Sequence, residues 1–597
     1  MTAHRHPLSR TSSRRAVVVA ASLSALAAAG FTPGTQASAA TPQALGPRSC
    51  PSPFPTDQLQ RDQAVTGRTV SEGTRPDALT GSVVGTLEDG IAPGLDMIIV
   101  KLAGSVVTDA DGEVDRGIWA GMSGSPIYAE DGRLIGAVSY GLSWSPSDYA
   151  GVTPAGDMYA LRDYKDPAAA RTVELTPRLA ARMDAGGAAT QQVGAGMRRL
   201  PLPVSVSGVQ GRRLERGARA TDFNRQLVSG GTARTAETAV PITAGGNVAA
   251  MLSFGDATIG GIGTATAVCG DQVLAFGHPA FFRGRSSLTM HGADALFVQR
   301  DAVFGSWKVA NPAAPSGTIT QDRLAGILGV DGRLPETASI NTTIRSGDRV
   351  RRGNSQVSEQ KALDFATFVH LLGNIDRVFD HYGPGSATAA YTMTVRRADD
   401  TELTYTRGEV YADDSDLAWP LVFDVLQDIW RIQENRFEPV EITSITYDGT
   451  LHGRFRAYRV GRVLVRQSGE FVRVSERKPL RARAGRSIVL QVMLTPLAGA
   501  GLETAAVRLA VDVPPRAAGS YGELVVLGGD SRGERRSRGE ATNLRGMLAA
   551  MRAEPGNDSV QAQLRLGRRG RDGTDSASKQ ATAPVSGARG FEVYVTR

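Results

Sequence analysis

The stretch Gly121-Met122-Ser123-Gly124-Ser125-Pro126 is followed by Ile127-Tyr128, the turn Glu130-Asp131-Gly132, the run Leu134-Ile-Gly-Ala-Val-Ser-Tyr-Gly141 and Tyr149-Ala-Gly-Val-Thr-Pro154. A hydroxyl is a poor nucleophile unless a base removes its proton and donors receive the oxyanion. Glycines on both sides of Ser123 let the backbone fold tightly, so the hydroxyl projects while nearby amides converge. The amides of Gly121 and Ser123 are the expected oxyanion donors. Asp131-Gly132 suits a tight type I′ hairpin.

Outward from this turn the text is strands. Ser82–Leu87, Met97–Leu102, Gly117–Ala120, Ile127–Tyr128 and Arg133–Tyr140 are short apolar runs separated by turns. Strand-like runs resume at Asn247–Phe254, Ala257–Val268 and Gln272–Phe276, the last ending in Gly277-His278-Pro279. A helix is expected over Asp413–Asn435, where Leu417, Leu421, Val425, Ile429 and Ile432 share a face. Shorter helices are expected from Asp157 and over Asn543–Arg552. From Phe437 to Leu527 alternating strands predict a β-sandwich of immunoglobulin type.

The order of serine turn, hairpin, strand and helix resembles the C-terminal barrel of trypsin-like peptidases, in which the serine between two glycines acts. Gly-Met-Ser-Gly-Ser-Pro, with Gly117-Ile118 before it, more specifically resembles the SpoIVB peptidase family, over Val83–Leu161 and Gly246–Gly329. The second block, Gly263-Thr-Ala-Thr-Ala-Val-Cys-Gly-Asp-Gln-Val-Leu-Ala-Phe-Gly-His278, resembles the family segment carrying the catalytic histidine. The family order is reversed here, since the serine block comes first and no PDZ module is visible. A catalytic constellation is defined by geometry rather than chain order.

The resemblance implies a serine endopeptidase with Ser123 as nucleophile and His278 as general base, selective or self-cleaving in the manner of signalling peptidases. His291 is the second candidate base. Asp96 opens Asp-Met-Ile-Ile-Val-Lys-Leu102, which resembles the aspartate strand of trypsin-like enzymes, and is the candidate acid. Asp294, Asp301 and Asp322 on the histidine side, Asp109, Asp111 and Asp115 before the serine, and a Ser–His dyad stay open. The competing expectation is a non-catalytic exported binding protein built on a protease-like core.

With 597 residues the chain is too long for one core. The fold expected is mainly β: a trypsin-like double β-barrel followed by the immunoglobulin-like sandwich. The divisions expected are a signal over 1–40, an extended entry segment over 41–80, serine-bearing and histidine-bearing halves over 81–178 and 241–345, and a connection over 179–240 between them. A β-rich segment with a helix over 346–436, the sandwich over 437–530 and a basic C-terminal segment over 531–597 follow, the last with a solvated tail over Arg532–Arg571 and a final strand over Gly590–Thr596. Arg5, Arg10, Arg14 and Arg15 precede the apolar run Ala16–Gly30 and the small-residue site Ala37-Ser38-Ala39, which reads as an export signal. The location expected is therefore secreted or extracytoplasmic.

Losing those four arginines would bring the formal +7 to about +3, which argues against a nucleic-acid partner. No stable membrane insertion is expected after signal cleavage. The expected partners are a protein or peptide substrate and an envelope partner of the C-terminal β-domain. Cys50 and Cys269 read equally as a disulfide or as separate thiols. No cofactor and no zinc-ligand spacing is expected, and Asp109-Ala-Asp-Gly-Glu-Val-Asp115 lacks the glycine and distal glutamate of a calcium loop.

Overall fold

The computed structural model describes residues 50–597, apart from 143–145, 164–171, 174–176, 186–195, 210, 224, 234–237, 302–304, 476, 531–540 and 568–572. The expected signal over 1–40 lies outside the described residues. The chain is mainly β, with 52% of residues in strands and 15% in helix, and its sheets are barrel-like.

The first sheet contains β1 (Ala64–Thr69), β2 (Asp77–Ala92), β3 (Leu95–Ala103), β4 (Pro126–Ala129), β5 (Leu134–Leu142) and β6 (Tyr149–Pro154). These run in the order β4-β1-β2-β3-β6-β5, and pairing of β4 with β5 closes the ring. Closure removes the exposed edges that an open sheet would present. Leu79, Val83, Ile98, Val100, Ile127, Ile135, Val138 and Val152 fill the interior. The ring begins earlier than the expected boundary at 81. In β1 Val65, Gly67 and Thr69 face inward, and one large apolar residue among six left that strand without a clear signal.

Two further differences are local. Gly117–Ala120 is not a strand: Gly117 and Ile118 give their amides to Val107 and Ser147, and only Ala120 bridges, to Trp307. The hairpin at Glu130-Asp131-Gly132 is a three-residue loop, closed by the Gly132 amide on the Ala129 carbonyl. Of the three only Gly132 has positive φ, +81°, so the turn is not type I′.

From β5 the first sheet continues through the short β7 (Thr172–Val173) and β8 (Met197–Arg199). The chain passes β9 (Val204–Val206), shortened by the prolines at 201 and 203, and β10 (Leu227–Ser229). The second ring comprises β11 (Asn247–Gly255), β12 (Ile259–Cys269), β13 (Gln272–Ala275), β14 (Gly284–Gln299), β15 (Trp307–Arg323) and β16 (Gly326–Asp331). Its strand order is β12-β13-β16-β15-β14-β11, closed by β11 on β12. Cys50 and Cys269 are joined as a disulfide, tying the start of the described chain to the end of β12.

Beyond the second ring the same sheet continues through Arg349–Val357, Ala338–Ser346, Val440–His452, Gly385–Arg397 and Glu402–Asp413. Helices Leu363–Phe379 and Ala418–Gln433 cover it. The second was expected over Asp413–Asn435. The first was not, because Leu363, Phe365, Ala366, Phe368, Val369, Leu371, Leu372 and Ile375 are buried all around it and leave no polar face to mark the period.

From Tyr458 onward two five-stranded sheets share one apolar core, which includes Val460, Leu490, Val492, Leu524, Val526, Leu564 and Val593. Inside the expected solvated tail Arg532–Arg571, Ser559–Leu566 is a strand, and the final strand expected over Gly590–Thr596 runs over Ala588–Thr596. Ser559–Leu566 and Ala588–Thr596 both pair with Tyr521–Gly528, because Val560, Ala562, Leu564 and Leu566 alternate inward despite the surrounding arginines. Among the described residues no helix is long and apolar enough to cross a membrane.

Candidate active site

Ser123 lies on the turn that enters β4 in the first ring, and His278 follows β13 in the second. The turn is held from the second ring through its carbonyls. Thr264 donates its side-chain hydroxyl to the Gly121 carbonyl (2.8 Å) and its amide to the Ser123 carbonyl (2.8 Å). Thr266 caps the Gly124 carbonyl (2.8 Å). The Ser125 amide closes on Met122, and Gly124 and Ser125 exchange bonds with Val138 of β5. Ser125 is occupied elsewhere, donating to Thr69 Oγ1 at 2.9 Å.

Glycine is required at 124. Its φ is +99°, and a Cβ there would stand 1.8 Å from the Thr264 carbonyl oxygen. The second ring is pressed directly against the serine turn at this point. Among the described residues the amides of Gly121 and Ser123 donate to no backbone carbonyl, which leaves the expected oxyanion donors uncommitted.

The histidine turn is bent by two consecutive left-handed residues, Phe276 at φ +70° and Gly277 at +66°. For a phenylalanine this conformation is unusual and costs energy. The Gly277 carbonyl accepts from Thr153 Oγ1 at 2.6 Å, which fastens the turn to β6. The result brings His278 Nε2 to 2.7 Å from Ser123 Oγ. Neither residue has any exposed surface.

His278 Nδ1 is 2.9 Å from the carbonyl oxygen of Pro279. A carbonyl can only accept, so Nδ1 carries the proton and Nε2 offers its lone pair to the Ser123 hydroxyl. Burial, and next the charge of Arg199, push the imidazole down to about 3. The ring is therefore a neutral acceptor aimed at the serine.

Among the described residues no carboxylate bonds to His278. Asp96, the candidate acid, instead accepts from the Asp89 amide at the tip of the β2–β3 hairpin (2.9 Å), and the structure does not bring it to His278. Asp322 is buried and accepts from the amides of Ala280 (2.7 Å), Phe281 (2.8 Å) and Arg283 (3.1 Å), so it shapes the loop after the histidine without touching the ring. Asp109 accepts from the amides of Asp111 and Glu113, and Asp115 pairs with Arg300 at 2.5 Å. His291, the second candidate base, is buried in β14 with Nδ1 on the Ala313 carbonyl (2.8 Å). His370 sits in a helix between Thr342 and Ser355.

Sequence reasoning missed Lys308. It is buried, its Nζ donates to Asn247 Oδ1 (2.7 Å), and burial lowers its pKa to about 7. Its side chain runs against Gly121, where a Cβ would lie 2.7 Å from Lys308 Cβ. Its amide bonds the Ala120 carbonyl while Ala120 bonds Ser306. Lys308 thus braces the side of the turn that carries the expected oxyanion donors. The neighbouring sequence Trp-Lys-Val-Ala has ordinary strand character and gives no hint of it.

The chain matches no protein-family model, and comparison with curated proteins and with solved structures gave no match.

Proposed function

We propose that this chain is an exported serine endopeptidase of SpoIVB type, with its two closed rings forming a trypsin-like double barrel in permuted order. The observation that carries the reading is the 2.7 Å contact between Ser123 Oγ and His278 Nε2, made by a histidine whose tautomer is fixed by Pro279. Ser123 attacks the scissile carbonyl as its proton passes to Nε2. The amides of Gly121 and Ser123 receive the oxyanion. The Nε2 proton then goes to the leaving amine, and water, deprotonated by the same nitrogen, releases the acyl group.

The third member is a main-chain carbonyl. It orients the imidazole as a carboxylate would, but as a neutral dipole it stabilises the imidazolium less. A slow, selective peptidase follows, in keeping with a signalling or self-cleaving role. The disulfide fits an oxidising, extracytoplasmic location. We read the two-sheet unit after Tyr458 as an immunoglobulin-like sandwich that holds an envelope partner.

Purified protein should react with a fluorophosphonate probe, and Ser123→Ala and His278→Ala should each abolish labelling. Equal labelling of Ser123→Ala would overturn the assignment. The non-catalytic alternative draws on the complete burial of Ser123 and His278. It predicts no labelling of the wild type under any condition that leaves it folded.

A further inference from the structure

A peptidase must receive its substrate as an extended strand beside the nucleophile, because main-chain hydrogen bonds then hold any sequence in register. β5 is the strand next to Ser123. Its Val138 exchanges main-chain bonds with Gly124 and Ser125. One residue on, Ser139 also reaches the histidine turn: a Cβ at Gly277 would stand 3.0 Å from Ser139 Cβ. Ser139, like Ala137 two residues before it, therefore lies on β5 between the serine turn and the histidine turn.

That point is occupied by the chain itself. The Leu200 amide donates to the Ser139 carbonyl at 2.9 Å. Immediately before it β8 runs antiparallel along β5, with Arg199 opposite Tyr140, Arg198 opposite Gly141 and Met197 opposite Leu142. Leu200 is buried, with 6% of its surface exposed, in the core that also contains Trp119 and Met122 of the serine turn. Room for it comes from the absence of a side chain at 141, where a Cβ would lie 3.0 Å from Leu200 Cδ2 and 3.5 Å from Ile118 Cγ2. Arg198 projects to solvent and Arg199 is half-buried. The arrangement has the features of a bound peptide: an antiparallel strand, a side chain buried in the same core as Met122 of the serine turn, and an arginine two residues before it that is exposed.

We propose that Arg198-Arg199-Leu200 is an intramolecular pseudosubstrate on the acyl side of the site, and that the substrates it excludes are extended peptides with a branched apolar residue in the place of Leu200. This rests on the peptidase reading above. The covering is consistent with the lack of any exposed surface on Ser123 and His278. It also bears on why the segment would not be consumed. The bond after Leu200 leads to Pro201, whose nitrogen is held in a ring and cannot readily turn its lone pair toward His278 to take the proton a leaving amine needs. The pairing to β5 is short, three residue pairs and one further bond, and the other edge of β8 carries two pairs to β7, which lies outside both rings, so displacement of β8 with β7 by a substrate or a partner need not disturb either ring.

The test uses the whole chain and two probes, a small alkyl fluorophosphonate and the peptidyl diphenyl phosphonate acetyl-Arg-Arg-Leu. Leu200→Gly, which removes the buried anchor, should raise the rate of peptidyl labelling of Ser123 at least tenfold, while Leu200→Met should keep it near wild type. Equal peptidyl rates in wild type and Leu200→Gly, with the small probe still labelling both, would overturn the pseudosubstrate and leave the peptidase reading standing. Failure of the small probe on every form would overturn both. Should Leu200→Gly fail to fold, hydrogen exchange of the wild type decides. The Leu200 amide should exchange at least tenfold faster once Ser123 carries the peptidyl phosphonate, and an unchanged rate overturns the proposal.

Discussion

His278 donates its Nδ1 proton to the carbonyl of the next residue, Pro279, at 2.9 Å. The imidazole therefore orients itself through its own main chain, and no charge is needed to fix its tautomer. Full burial, and next the charge of Arg199, hold the ring far below its ordinary value, to about 3. For a base the sign is clear: lowering the pKa keeps the ring unprotonated as the pH falls. Fluorophosphonate labelling of Ser123 should accordingly lose less than about twofold between pH 7 and pH 5, whereas a histidine titrating near ~6.5 would lose more than tenfold. A labelling profile that collapses through pH 6.5 would contradict the assigned environment of His278.

The same burial has a stability consequence that His291 makes measurable. Its pKa is lowered to about 4 in the folded protein, so the unfolded chain takes up a proton below ~6.5 that the folded one refuses. That part of the stability is present above the unfolded pKa and lost as the pH falls. His291→Asn keeps a donor for the Ala313 carbonyl but cannot titrate. The destabilisation it causes at pH 7 should shrink by about 2 kcal/mol at pH 5, read from paired denaturant melts.

Gly124→Ala should be among the most damaging single substitutions. A Cβ at that position meets the Thr264 carbonyl oxygen at 1.8 Å, with φ at +99°. Relief requires the serine turn to move away from β12, which breaks the Thr264 and Thr266 bonds to Gly121, Ser123 and Gly124. Labelling should fall by at least ~10²-fold, together with a lower melting temperature.

Asp322→Asn separates support of the histidine loop from chemistry. The carboxylate accepts from three amides through both oxygens, and an asparagine places a donor where one of those oxygens was. Exchange of the Ala280 and Phe281 amides should accelerate, and labelling should drop about 10- to 100-fold in a folded protein. The pH profile of the remaining labelling should be unchanged, because Asp322 bonds to the loop amides and not to the imidazole.

Replacing Cys50 by serine releases a loop spanning 219 positions. For a loop of that length the chain-entropy model gives about 5 kcal/mol of lost stability. A melting temperature insensitive to both Cys50→Ser and reductant would show that the denatured chain is not restrained by the bond.

How much of this was legible in the sequence depended on where the information resides. The Ser123 turn and the Gly277-His278 segment could be found because their side chains and glycines are written in the text, and the structure brings the two together. The partner of His278 Nδ1 could not be found, since a carbonyl belongs to every residue and only the turn at Phe276 and Gly277 decides which one is presented. The helix over Leu363–Phe379 was hidden because burial on all sides erases the 3.6-residue period. Ser559–Leu566 was obscured for the opposite reason, as flanking arginines masked a two-residue alternation that is present. Lys308 had no signal at all, because a lysine is ordinarily a surface residue.

The order in which these pieces leave the ribosome is itself informative. Residue 123 is made first, residues 198–200 next and residue 278 last. A chain growing from its N-terminus thus has the strand that lies on Ser139 available before the imidazole exists. During synthesis, and during any N-terminus-first passage across a membrane, Ser123 is without His278 until residues 198–200 are already in hand. With Ser123 early and His278 late, the strand that lies between them in the chain is older than the pair it covers.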